Sequence, residues 1–236
     1  MPESSSAESA PAAAIPSPLP WSPSVQLAML LINALPFLHV VVVIAGAALV
    51  PGAWAKAAVI LGGIYLVPPF CVRALCAWRP IRPGGHALES PDFLHWWLSA
   101  QAQVLFCRFP FLEEALRMVP GLYSGWLRLW GGKIGRFTYW APGVMILDRS
   151  LLDIGDNVVF GAGVRINPHV IAEDDAGVVR LHVAPVQIAN RCRIGGYALL
   201  TAGTVVEPGQ TLKAFTLSPP FTTWRTGKRA RPAIPH

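Results

Sequence analysis

A repeat of six residues constrains this chain more than any other feature. Apolar side chains recur at Ile134, Trp140 and Ile146, at Ile154, Phe160 and Ile166, and at Ile188, Ile194, Leu200, Val206 and Leu212. Glycine follows several of them, at Gly135, Gly155, Gly161 and Gly195. A helix repeats every ~3.6 residues and a half-buried strand every ~2, so a period of six is neither. It fits short strands separated by sharp corners and wound around a prism, a parallel β-helix. The register breaks twice. Two extra residues fall near Leu151 to Asp153, and a long insertion, Glu173 to Gln187, separates Ile166 from Ile188. The insertion comes directly after His169, the one histidine in the regular repeats.

Composition bears on what precedes the repeat. The chain is 53% hydrophobic and only 14% charged, too apolar for an ordinary soluble domain. Val25 to Val50 carries no charge and is long enough to cross a hydrocarbon core, which takes ~20 helical residues. Asn33, Pro36 and His39 interrupt it and are expected to face a partner helix or cause a kink. Gly52 to Val72 is a second apolar stretch, with Lys56 near its start and Pro68 and Pro69 marking its end. The short connection predicts an antiparallel transmembrane hairpin over 25–72. A pair of re-entrant helices in one leaflet is the rival reading. Arg73, Arg79 and Arg82 follow at once, which places both termini and the repeat on the cytoplasmic side of the inner (cytoplasmic) membrane.

Residues 1–24 are rich in Ser, Ala and Pro and predict a disordered tail. Residues 73–130 predict two or three amphipathic helices broken at Pro110 and Pro120. Their many tryptophans suit a headgroup layer, the packing of the hairpin against the repeat, or both together, and either way hold the repeat close to the bilayer. The coil domain is expected over 131–213 and a basic tail over 214–236. Lys213, Arg225, Lys228, Arg229 and Arg231 supply five of the net six positive charges, with no acid among them. Such a segment suits a phosphate-bearing cofactor or anionic lipid, or is simply solvated. No nucleic-acid module accompanies it. Cys71, Cys76, Cys107 and Cys192 form no metal or disulfide spacing.

The run Pro185-Val186-Gln187-Ile188-Ala189, then Ile194-Gly195-Gly196, then Ala202-Gly203-Thr204-Val205-Val206-Glu207-Pro208-Gly209 resembles the hexapeptide-repeat acyltransferases. In their sugar O-acetyltransferase branch a catalytic histidine precedes an excursion loop, and a Pro-[Ile/Val]-x-Ile-Gly segment restarts the coil. Here His169, the insertion and Pro185-Val186-Gln187-Ile188 stand in that order, with Ala189 where glycine is usual. The resemblance covers 131–213. It implies a left-handed parallel β-helix, a homotrimer with active sites between subunits, and acyl-CoA, most simply acetyl-CoA, as co-substrate. The amino-terminal region lies outside that pattern.

On this reading His169 is the general base, since imidazole titrates near neutral pH. Glu173, Asp174, Asp175 or a backbone carbonyl would orient its ring. Asn167, Glu173 and His182 are candidate substrate contacts. Backbone N–H groups near Gly195, Gly196 and Gly203 are candidates for the developing oxyanion, and Lys213, with Arg225, Lys228 and Arg229, for the cofactor phosphates. Two histidines in the coil domain are too few for a zinc site. The sequence thus predicts a membrane-anchored acyltransferase acting on a lipid or lipid-linked glycan acceptor. A non-catalytic trimeric membrane scaffold and a long-chain acyl-CoA-dependent enzyme are the alternatives.

Overall fold

The computed structural model describes residues 21–173 and 177–230, so Asp174, Asp175, Arg231 and the tail over 1–20 lie outside the described residues. Its centre is a three-faced coil of short parallel strands. The first face holds β2 (Lys133–Ile134), β5 (Leu152–Ile154), β10 (Val186–Ile188), β13 (Val205–Val206) and β16 (Thr223–Arg225). The second holds β3 (Tyr139–Trp140), β6 (Val159–Phe160), β11 (Arg193–Ile194) and β14 (Thr211–Leu212). The third holds β4 (Met145–Ile146), β7 (Arg165–Asn167), β12 (Leu199–Thr201) and β15 (Leu217–Ser218).

The register is the one the repeat predicts. Ile134, Ile154, Ile188 and Val206 stack on the first face, Trp140, Phe160, Ile194 and Leu212 on the second, and Ile146, Ile166 and Leu200 on the third. All are buried. Stacked corners come so close that a Cβ on Gly155 would lie 2.3 Å from Asn190 Oδ1, and one on Gly195 2.3 Å from the Ala214 nitrogen. Glycine at those positions is therefore a packing requirement.

The coil runs further than the apolar repeat suggests. Ser218 and Trp224 continue the six-residue step after Leu212 and pair with Leu200 and Val206. Ser218 is fully buried, and the Thr204 and Ser218 hydroxyls and Trp224 Nε1 satisfy one another there. A hydrophobicity pattern skips such a polar rung. After it, β17 (Lys228–Ala230) folds back on β16, so residues expected to form a basic tail instead form strands.

The helices precede the coil. α1 (Pro23–Leu49) contains Pro36 and turns at Gly52 into α2 (Ala53–Tyr65), which is followed by α3 (Val67–Trp78). Pro68 and Pro69 open α3 instead of ending the segment, because a first turn needs no N–H donors. Trp126 Nε1 donates to the Tyr65 carbonyl at 2.8 Å and so satisfies the acceptor that Pro69 leaves free. Pro23–Leu49 and Ala53–Trp78 are each long and apolar enough to cross a membrane, and only 11% and 17% of their most apolar windows are buried. They are not core helices of the coil domain. Val43 fits against Gly63, where a Cβ would clash at 2.6 Å, so the two arms pack closely.

α4 (Pro91–Arg108), α5 (Phe111–Arg117) and α6 (Leu122–Leu129) are separated at Pro110 and Pro120 as predicted. Three of their tryptophans pack inside the protein. Trp96, Trp126 and Trp130 are buried, and α6 closes the first coil with Trp126, Leu127 and Trp130. Trp140, stacked on Phe160 at 4.5 Å, donates its Nε1 to Ser124 of α6. On the other side of α4, Trp97 Nε1 donates to Asn33 Oδ1 of α1 at 2.9 Å, so Asn33 does face a partner helix. The long insertion is an antiparallel hairpin, β8 (His169–Glu173) and β9 (Val179–Val183), extended by β1 (Gly84–Ala87).

Candidate active site

Ile146 is followed by Ile154 after eight residues instead of six, and the surplus forms a 3-10 turn, Arg149–Leu151. Asp148 lies at the start of this turn, at the corner between the third and first faces. One coil later the same corner is replaced by the hairpin, whose first residue is His169. The two irregularities of the repeat therefore stack, and they bring Asp148 and His169 together. His169 Nδ1–H donates to Asp148 Oδ2 at 2.5 Å. The other carboxylate oxygen, Oδ1, accepts from Trp96 Nε1 at 3.0 Å. The Trp96 ring lies 4.6 Å from the imidazole, tilted by 59°.

Asp148 is 1% exposed, whereas the His169 side chain keeps 21% of its surface in solvent. Burial alone would lower the histidine pKa, but the Asp148 charge and its hydrogen bond raise it further, so the net shift is upward from 6.5. With Nδ1 committed to the carboxylate, Nε2 carries the lone pair of the neutral ring. The arrangement is an imidazole held in one tautomer, with no bond to Nε2 seen among the described residues.

Arg149, the next residue, points into the protein. It is 1% exposed and donates through Nε to Glu113 Oε1 at 2.7 Å, with a second contact from Nη2. Phe106, Trp126 and Trp130 surround its guanidinium. Glu113 Oε2 accepts from Arg117 at 2.9 Å and from the Tyr123 hydroxyl at 2.7 Å. The Arg149 N–H donates to Gln103 Oε1 at 2.7 Å. Burial and the Glu113 charge both hold the Tyr123 phenol well above its ordinary pKa, so it stays a donor. This buried group fixes α4, α5 and α6 to the turn that carries Asp148.

The other predicted site residues are divided among different edges. Asn167 lies two residues before His169, and its Oδ1 is buried without a hydrogen-bond partner. Glu173 ends β8, about 13 Å along the strand from His169, opposite Val179. It does not orient the ring; Asp148 does. His182 pairs with Val170, and side chains alternate along the hairpin, so it lies on the face opposite to His169, against Phe221 at 6.3 Å. Gly203 lies at the same corner as His169, one coil further along, and its N–H donates to the Ala184 carbonyl. Gly195, Gly196 and Lys213 follow β11 and β14 at the edge between the second and third faces. The Gly195 N–H donates to the Leu212 carbonyl. In a single chain the N–H groups of Gly195 and Gly203 are thus used by the coil. Arg225 is paired with Glu207 at 2.6 Å. No group of three or more possible metal-binding side chains occurs among the described residues.

Asp148 and Trp96 were not expected. The two-residue surplus after Ile146 was the available signal for Asp148. Nothing local in the sequence ties Trp96, 52 residues earlier, to the same corner.

Neighbours of the chain among solved structures are hexapeptide-repeat acetyltransferases. A hexapeptide-repeat containing acetyltransferase from Vibrio cholerae O1 biovar eltor, complexed with acetyl coenzyme A, is 17% identical over 53% of this chain and 84% of that one, with a TM-score of 0.35. A galactoside acetyltransferase in complex with coenzyme A is 14% identical over 48% and 74%, with a TM-score of 0.33. A maltose O-acetyltransferase from Clostridium difficile 630 is 14% identical over 61% and 88%, with a TM-score of 0.31. At these scores the fold assignment rests on the strand pairing above. No protein-family model matches the chain, and no curated protein matches it in sequence.

Proposed function

We propose that this chain is a membrane-anchored acyltransferase that moves an acyl group, acetyl in the simplest case, from acyl-CoA to a hydroxyl or amine of a lipid or lipid-linked acceptor. The observation that carries the reading is the His169–Asp148 pair at the one corner where both breaks of the repeat coincide. His169 Nε2 takes the proton as the acceptor oxygen or nitrogen attacks the thioester carbonyl. The new C–O or C–N bond forms, the C–S bond breaks, and the proton passes from Nε2 to the departing thiolate. Asp148 holds the tautomer and stabilises the imidazolium in between.

A left-handed coil and a homotrimer belong to the same proposal. Trimerisation would set the Gly195–Gly196–Lys213 edge of one subunit beside the His169 corner of the next, as a shared cofactor groove needs. Exposed Tyr197, Phe215 and Leu217 near that edge support such a contact. The outward apolar faces of the two long helices support the membrane anchor, with the catalytic corner on the cytoplasmic side.

A second reading, a long-chain acyl donor, is favoured by one observation. A groove of about 420 Å³ between α1, α3 and α4 is lined by Leu35, Val42, Val67, Leu75, Leu98 and Leu105, among others. Mass spectrometry of total lipids from cells with and without the protein tests both readings. A species heavier by an acetyl group supports the first and one heavier by a long acyl group the second. An unchanged lipid and glycan profile contradicts both.

A further inference from the structure

At the closed end of the coil three cations share one concavity of about 500 Å³: Arg73 of α3, Arg128 of α6 and Lys133 of β2. Two of them are fixed in place without being neutralised. Arg73 Nη1 donates to the Arg128 carbonyl at 3.0 Å. Arg128 donates through Nε to the Ile134 carbonyl at 2.9 Å and through Nη2 to the Gly135 carbonyl at 3.1 Å. Carbonyl partners set the direction of a guanidinium but leave its charge intact. The acid paired in this group is Asp153, 3.6 Å from Lys133, with side chains 79% (Lys133) and 46% (Asp153) exposed, so water screens the pair. The floor is the turn Gly131–Gly132. A Cβ on Gly132 would lie 2.6 Å from the Arg149 carbonyl, so glycine is a packing requirement there.

We infer that this concavity binds the phosphate of an anionic phospholipid headgroup. Preoriented guanidiniums with spare N–H groups match a phosphate in charge and in fork geometry. The choice of a lipid phosphate over a free one comes from position. Arg73 sits five residues before the end of the apolar segment Ala53–Trp78. Phe70, one turn earlier on the same face, is 53% exposed, and Trp78, at the end of the segment, is 79% exposed. The cations therefore stand where an apolar helix surface gives way to polar protein, the depth of headgroup phosphates. This choice of source rests on reading the long helices as membrane-embedded. The site itself does not depend on acyl transfer.

The test uses the full chain in a neutral detergent, with bound lipid measured by native mass spectrometry from mixed micelles of phosphatidylglycerol and phosphatidylcholine. The wild type should prefer phosphatidylglycerol by about tenfold or more, and Arg73→Gln with Arg128→Gln should abolish the preference. Arg73→Lys with Arg128→Lys, which keeps the charge but loses the held guanidinium forks, should retain only part of it. Lys133→Gln, at an exposed side chain that folding does not need, should weaken it about threefold. A preference unchanged in the double glutamine variant or in Lys133→Gln overturns the site. Displacement of the lipid by an equal concentration of inorganic phosphate overturns the lipid assignment. The His169→Ala protein should bind lipid like the wild type, so a failed acyltransferase reading and a failed lipid site give different results.

Discussion

Asp148 and Arg149 are adjacent in the chain and belong to two different regions. Arg149 lies in the packed interface between the coil and the helices, where every charge has a buried partner. Asp148 faces the corner, where its partner His169 remains partly open to solvent. Both are held by the same turn, and both reach α4: Arg149 through Gln103, Asp148 through Trp96. The difference teaches how a carboxylate–imidazole pair can be rigid without being sealed. The interior half of the turn is immobilised by a buried charge network, and the outer half inherits that rigidity with one imidazole nitrogen left unused.

The comparison can be broken first at its interior half. Glu113→Ala leaves Arg149 and the Tyr123 phenol without their carboxylate and Arg117 with Glu114 alone, and such a loss in a buried network costs about 3–5 kcal/mol. Thermal unfolding should show a large drop in Tm, with activity lost as a consequence. The outer half behaves differently. Asp148→Asn should keep the melting temperature close to wild type while lowering turnover by about tenfold or more, because the asparagine no longer enforces the tautomer or stabilises the imidazolium. If Asp148→Asn melts as early as Glu113→Ala, the two halves are not separable and the distinction fails.

The pH dependence sharpens the same contrast. A base must be neutral to act, and the His169 pKa is raised, so wild-type turnover should rise with pH through a limb above 6.5. In Asp148→Asn the charge that raises the pKa is gone, and the limb should move to lower pH. The stabilising contribution of the pair has the opposite sign. It is fully present below the unfolded histidine pKa and is lost as pH rises through the folded one. A limb that stays in place in the variant would mean that Asp148 does not set the titration. Trp96→Phe, which removes one hydrogen bond to Asp148, should cost about 1 kcal/mol, a fewfold change in turnover. The smallest effect is expected at His182, which faces away from His169. His182→Ala should leave turnover within about twofold and Tm nearly unchanged.

The coil was legible because a six-residue repeat leaves each apolar position one place to go. Ile154 can stack only on Ile134, and the position of the hairpin followed from counting to Ile188. The last coil was not, because Ser218 occupies an inward position and solves its polarity with Thr204 and Trp224, which no hydrophobicity pattern records. His169 was legible from its place beside the break. Its partner was not, because the pairing depends on two irregular corners falling on the same edge of the prism. The tryptophans of 91–130 could not be divided between core and interface by composition alone, since both environments favour an apolar ring with a polar edge.

The central claim, that the His169 corner performs acyl transfer at a membrane, meets its most direct test in one assay. Purified protein is incubated with radiolabelled acetyl-CoA and membrane lipid extract, and label is counted in the lipid phase for wild type and His169→Ala. The account predicts label in lipid from the wild type and a loss of about 10²–10⁴-fold in the variant, assayed at a temperature where both proteins are folded. Equal labelling by the two proteins would contradict it.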